Sequence, residues 1–233
     1  MLRFLTPLLL LPGIVAAFAA GDPAELHGPD VHPGYPDVFN LEYMIDQDSI
    51  SPDHNFAVVH GTRAALEESL GMLQDFLVTL HPFHILGLIE AEYPYTNGEN
   101  HSRMEVAWSA DSSTALVQID GKWGPRSEHL IELRNGRIAR QTDLVAEVHK
   151  LLMPDYRKSK AGRYNDLFDF ILETDNGGGF TLEKNGRVRI SSEATTDPKG
   201  VEANRWNAKV EAVWDVAQAK FLTQKVTRES INK

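Results

Sequence analysis

Two Asn-Gly dipeptides, each set between β-capable runs, constrain the fold of this chain more than any other feature. Leu130-Ile-Glu-Leu-Arg-Asn-Gly-Arg-Ile-Ala139 and Phe180-Thr-Leu-Glu-Lys-Asn-Gly-Arg-Val-Arg-Ile190 both read as β-hairpins. A tight type I′ turn needs positive φ at its two central residues, and Asn-Gly meets that demand with the least strain. The apolar runs Phe56–Val59, Phe76–Leu80, Phe83–Ile89 and Thr114–Ile119 add strands, and Trp206–Trp214 with Lys220–Val226 form another hairpin around Val216–Ala219. Helical signals are fewer. Asp143 is an N-cap for Leu144–Leu152, with Leu144, Val148, Leu151 and Leu152 on one face and Pro154 just past the end. Tyr164–Leu172 reads as a second helix, and Arg63–Leu73 as a third or as a long loop. The expected class is mainly β with minor α: antiparallel sheets and hairpins with two or three short helices.

The chain opens with an export pattern. Arg3 precedes the apolar run Phe4–Phe18, and Ala17-Phe18-Ala19 is an A-x-A cleavage signal, so residues 1–19 read as a signal peptide. Residues 20–37, rich in Pro and Gly, read as a flexible arm. Residues 38–156 then form a β domain with two related units and a helix, and residues 157–233 a smaller β part with one helix and two hairpins, joined by the basic stretch Arg157–Arg163. The expected location is the periplasm or the extracellular space, with no membrane anchor in the mature form. The formal net charge of −10 argues against nucleic acid as a partner, because such binding needs a positive footprint. With no cysteine, thiol catalysis and thiolate metal sites are excluded.

Ile50-Ser-Pro-Asp-His-Asn-Phe-Ala-Val-Val59 and Trp108-Ser-Ala-Asp-Ser-Ser-Thr-Ala-Leu-Val117 share Ser, Asp, Ala and Val at matched positions. Ser and Asp side chains in a turn accept backbone N–H bonds, and the residues after them enter a strand. On these two segments the chain resembles the blades of TolB-like and WD40-like β-propellers, where Ser-Pro-Asp commonly introduces a strand. The resemblance implies blade-like antiparallel sheets. With two copies visible, these sheets need not close into a ring, and an incomplete propeller-like arrangement is one form they can take. Propeller folds host binders and enzymes alike, so no reaction follows from it.

No sequence motif for nucleophilic or metal catalysis is present: there is no G-x-S-x-G, no S-x-x-K and no H-E-x-x-H. No catalytic residue, metal ligand or cofactor is assigned. The loop Asp120-Gly-Lys-Trp-Gly-Pro-Arg-Ser127 joins two strands, and in it Lys122 and Arg126 flank Trp123, a set able to stack on a ring or hold a carboxylate. Tyr93 and Tyr95 are its aromatic counterpart after the preceding hairpin. The alternative for these residues is packing, with Trp123 as a core plug and the tyrosines over a sheet edge. The function expected is an exported soluble binding or interaction module acting through its loops on a protein or small molecule. A secreted hydrolase with carboxylates in a sheet-end cleft and a structural envelope protein are the alternatives.

Overall fold

The computed structural model describes residues 42–68, 73–91, 94–95, 101–122, 124–161, 170–174, 179–196 and 205–229. The expected signal segment and arm lie outside the described residues, as do Tyr93 and Trp123. Three antiparallel sheets carry the described chain. Sheet A runs β1 (Tyr43–Ile45), β2 (Phe56–Gly61), β3 (Phe76–Leu80) and β4 (Phe83–Leu88). Sheet B runs β5 (Arg103–Trp108), β6 (Thr114–Gly121), β7 (Gly124–Arg134) and β8 (Arg137–Asp143). Sheet C runs β10 (Phe180–Glu183), β11 (Arg187–Thr195), β12 (Asn207–Asp215) and β13 (Lys220–Glu229), with β9 (Ile171–Glu173) paired to the far end of β11. In sheets A and B, and from β10 to β13 in sheet C, the strands lie side by side in chain order as meanders, and β9 alone departs from that order. The architecture is mainly β, and the described sheets do not close into a ring.

The two Ser-x-Asp turns are built alike, bond for bond. Ser51 Oγ donates to Asp53 Oδ1 at 2.6 Å and accepts from Phe56 N–H at 2.9 Å. Ser109 Oγ donates to Asp111 Oδ1 at 2.7 Å and accepts from Thr114 N–H at 2.9 Å. Each Asp also accepts the N–H two residues on, from Asn55 and Ser113, both at 3.1 Å. His54 and Ser112 occupy the same left-handed position, with φ of 58° and 56°. The turns also touch, Asp53 N–H donating to Ser112 Oγ at 3.2 Å. Burial alone would raise the Asp53 carboxyl, but hydrogen bonds from Ser51, Asn55 and Ser112 hold it down at about 2. Asp53→Ala and Asp111→Ala should each lower stability by about 1 kcal/mol in urea denaturation, the scale of a lost local hydrogen bond. Unchanged midpoints for both would show that these bonds do not hold the turns.

Of the two Asn-Gly hairpins, only the first has the expected turn. Arg134 pairs with Arg137, leaving a two-residue turn in which Asn135 (φ 53°) and Gly136 (φ 68°) are both left-handed. In the second, Glu183 pairs with Arg187, so three residues turn the chain and Gly186 alone, at φ 72°, takes the left-handed position. That is the three-residue loop closed by a left-handed glycine, the next most common hairpin connection.

The helices depart further from expectation. α1 spans Arg63–Glu68, and residues 69–72 lie outside the described set. α2 spans Leu144–Lys158, with Asp143 Oδ1 capping Ala146 N–H at 3.0 Å as expected, but it runs on through Pro154. A proline lacks one helical donor, and local preference alone would end the helix before it. Tertiary contacts hold the last turn: Tyr156 is buried edge-on to Phe170 and Trp206, and Asp155 accepts from Trp206 Nε1 at 3.0 Å and Arg228 Nε at 3.1 Å. The helix expected over Tyr164–Leu172 is corrected at its end, where Ile171 and Leu172 lie in strand β9; residues 162–169 are outside the described set.

Sheet B is the middle layer. Val117, Ile119 and Ile131 on one face pack with Val58 and Leu77 of sheet A, while Leu116 and Leu130 on the other join Leu144, Val148 and Leu152 of α2 and Val188, Ile190, Val210 and Trp214 of sheet C. A strand buried on both faces carries no apolar-polar alternation, which is why β6 reads as a nearly continuous apolar run. Sheet C is one-sided: β12 alternates between buried Ala208, Val210, Ala212 and Trp214 and an outer row that is polar except for Val213. Polar links brace the layers. Trp108 Nε1 donates to the Ser49 carbonyl at 2.8 Å, and Gln141 Nε2 donates to the Leu88 carbonyl at 2.7 Å.

Candidate functional site

Four turns meet where sheets B and C approach each other. The Ser-x-Asp turn brings Ser113 and Thr114, the two-residue hairpin brings Arg134, the three-residue hairpin brings Asn185 and Gly186, and the β12–β13 turn brings Asp215 to Ala217. Between them lies a cleft of about 310 Å³, with Glu132 and Leu133 completing its lining. Its inner wall is held by Arg140. The guanidinium pairs with Glu132 at 2.5 Å and donates to the Val216 carbonyl, joining β8 to the β12–β13 turn. Glu132 is 7% exposed while the Arg140 side chain keeps about a third of its surface in water, so it is loss of Arg140 that would leave a buried, unpaired charge. Asp215 is engaged as well: its Oδ1 accepts Gln218 N–H at 2.7 Å and its Oδ2 the Gln218 amide at 3.3 Å. The lining is thus mostly polar with two carboxylates already bonded, and exposed Arg134 and Asn185 stand at the rim.

Of the residues singled out from the sequence, Tyr93 and Trp123 lie outside the described residues, and Lys122, Arg126 and Tyr95 lie away from the cleft. The β6–β7 hairpin that carries Lys122 and Arg126 is at the opposite end of sheet B, since Thr114 pairs with Glu132 at the cleft end and Gly121 with Gly124 at the other. Lys122 is exposed and Arg126 half-buried, its chain lying over Gly121 so closely that a Cβ there would sit 2.4 Å from its Nε. Tyr95 is half-buried against the core between sheets A and B. Its ring stands edge-on to His60 at 4.9 Å, and its N–H donates to Asp75 Oδ2 at 2.7 Å.

That second cluster is the more perturbed electrostatically. Asp75 is 1% exposed, its Oδ1 has no hydrogen-bond partner among the described residues, and burial raises its carboxyl to about 7 against the pull of the Tyr95 N–H. His60, 2% exposed, is pushed down by burial, and its Nδ1 lies 3.0 Å from the Gly61 carbonyl. Burial also raises the hydroxyls of Tyr95 and Tyr43. Shifts of this kind are common at functional sites and also at structural ones. Here the acid is buried just ahead of β3 and is not among the residues that line the cleft.

Sequence reasoning missed Glu132, Arg140 and Asp215 as site residues. A signal was present: charged residues flank the first Asn-Gly turn on both sides, Glu132 and Arg134 before it and Arg137 and Arg140 after it. Among the described residues, no group of three or more His, Asp or Glu side chains is placed to hold a metal ion. No protein-family model, curated protein or solved structure matches the chain.

Proposed function

We propose that this protein is an exported binding module that takes a small polar ligand in the cleft between sheets B and C. The observation that carries the reading is the convergence of four separate turns on one cleft of about 310 Å³. Loops set on a rigid scaffold are where binding residues concentrate, because they can vary without disturbing the core. The matched Ser-x-Asp turns support a reading of sheets A and B as two copies of one blade-like unit, the second contributing its turn to the cleft. A hydrolytic role is less well supported: Glu132 and Asp215 are held by Arg140 and Gln218, and Asp75, raised to about 7, is buried just ahead of β3 and does not line the cleft.

The test is a thermal-shift panel of monosaccharides, disaccharides, amino acids and polyols against the wild type, Arg134→Ala with Asn185→Ala, and Lys122→Ala with Arg126→Ala. A compound that raises the wild-type melting temperature but not that of the Arg134/Asn185 variant is the expected result. A hit lost only in the Lys122/Arg126 variant would move the binding surface to the β6–β7 hairpin. A panel without a hit overturns the reading.

A further inference from the structure

Sheet B faces sheet C and α2 through one row of β6–β7 cross-strand pairs, and this row is polar at both ends. Thr114 lies opposite Glu132 at the cleft, Leu116 opposite Leu130 in the middle, and Gln118 opposite Glu128 at the far end. Two glutamates four positions apart on one strand point to the same face. Both are buried, Glu132 at 7% exposure and Glu128 at 1%, yet their surroundings differ. Glu132 is neutralised by Arg140. Glu128 Oε1 accepts from Gln118 Nε2 at 3.3 Å, and the same amide donates to the Phe180 carbonyl of sheet C at 3.2 Å. Glu128 Oε2 has no hydrogen-bond partner among the described residues.

The groups that act on Glu128 by charge are acids, two of which, Asp120 and Glu105, are themselves paired with Arg103 of β5. Asp120 on β6, Asp143 at the start of α2 and Glu105 on β5 all act on it. On the other elements packed against β7, β9 carries Glu173, α2 carries Glu147 held by Lys150 and His149 stacked on Phe170, and the Arg140 of β8 is taken by Glu132. Burial first, and then these acids, push the Glu128 carboxyl well above its usual range, against the bond from Gln118.

We propose that Glu128 is a proton-operated clasp between sheets B and C, regulating access to the cleft at the other end of the same row. Neutral, Glu128 sits dry in the junction and the Gln118 link to Phe180 stays closed. Ionised, it draws water into the junction, loosens that link and changes the angle between the sheets while Arg140 still joins them at the cleft. The regulatory half rests on the cleft being the binding site; the clasp itself does not.

Amide hydrogen exchange on the unliganded protein tests the clasp, in an Asp75→Asn background that removes the other raised acid. After correction for intrinsic rates, exchange at residues 116–118, 128–130 and 180–183 should accelerate by about tenfold or more between pH 5 and pH 8, since opening lets the carboxyl ionise and one pKa unit is worth tenfold. Glu128→Gln should abolish the acceleration with rising pH, leaving only the opposite, acid-side trend of His129, whose imidazole burial holds below its usual range, and Glu128→Met carries the same prediction should the glutamine variant not fold. A flat profile in the parent overturns the clasp, as does an acceleration that survives either replacement. If the profile behaves as expected but the ligand panel is blank, the clasp stands and the reading of the cleft falls.

Discussion

Replacing Asp75 by Asn should stabilise this protein at pH 8 and leave it nearly unchanged at pH 4. In the folded state the carboxyl is raised to about 7 from 3.8, chiefly by burial. Below pH 3.8 the folded and unfolded states both hold the proton, and the group contributes no difference. Between pH 3.8 and 7 the unfolded chain ionises while the folded one keeps its proton, so stability falls as pH rises through that window; above it the penalty is complete. The separation of the two values corresponds to about 4 kcal/mol, an order-of-magnitude figure. Asparagine keeps an oxygen to accept the Tyr95 N–H and has no charge to desolvate. Melting temperatures of wild type and variant should therefore coincide at pH 4 and diverge towards pH 8, with the variant higher. A variant that melts at or below the wild type at pH 8 would show that Asp75 is not the buried, unpaired acid described here.

Gly124→Ala should be the most damaging single-methyl addition in the β6–β7 hairpin. Gly124 sits at φ 124°, a conformation that side chains rarely adopt, and a Cβ there would lie 1.9 Å from the Leu172 carbonyl oxygen. The neighbour is backbone of β9, so it cannot rotate aside. Strain at the residue and displacement of β9 from sheet B together should cost about 3 kcal/mol or more. Chemical denaturation measures it directly. As a control, Gly136→Ala shares a left-handed φ of 68° but meets nothing within 4 Å, so it should cost much less. Equal losses for the two variants would remove the close approach of β9 as the cause.

How much could be read without coordinates depended on how local the cause was. The Ser-x-Asp turns were legible because their bonds close within five residues, and the strands they introduce followed. Asp143 was legible as a cap for the same reason. The end of α2 was not, because Pro154 argues locally for termination and the contacts of Tyr156 with Phe170 and Trp206 argue against it across the chain. The extended state of Ile171 and Leu172 was lost in the same way: their partners are Thr195 and Ala194 on β11, more than twenty residues further on.

By itself the sequence determined a mainly β chain of antiparallel meanders, since alternation, Asn-Gly turns and Ser-x-Asp turns are short-range instructions that any part of the chain obeys alone. It also identified loops rich in chemistry, at Lys122–Arg126 and at Tyr95. Only the tertiary structure decided which loops share a space. Stacking three sheets gathers the turns bearing Ser113, Arg134, Asn185 and Asp215 at one end and leaves the Lys122 hairpin at the other. The same stacking buries Glu128 without a cationic partner of its own and Glu132 against Arg140, although the two lie on the same face of one strand. The electrostatic fate of a side chain is set by what packs against it from other elements, and that information is spread along the chain in no readable order.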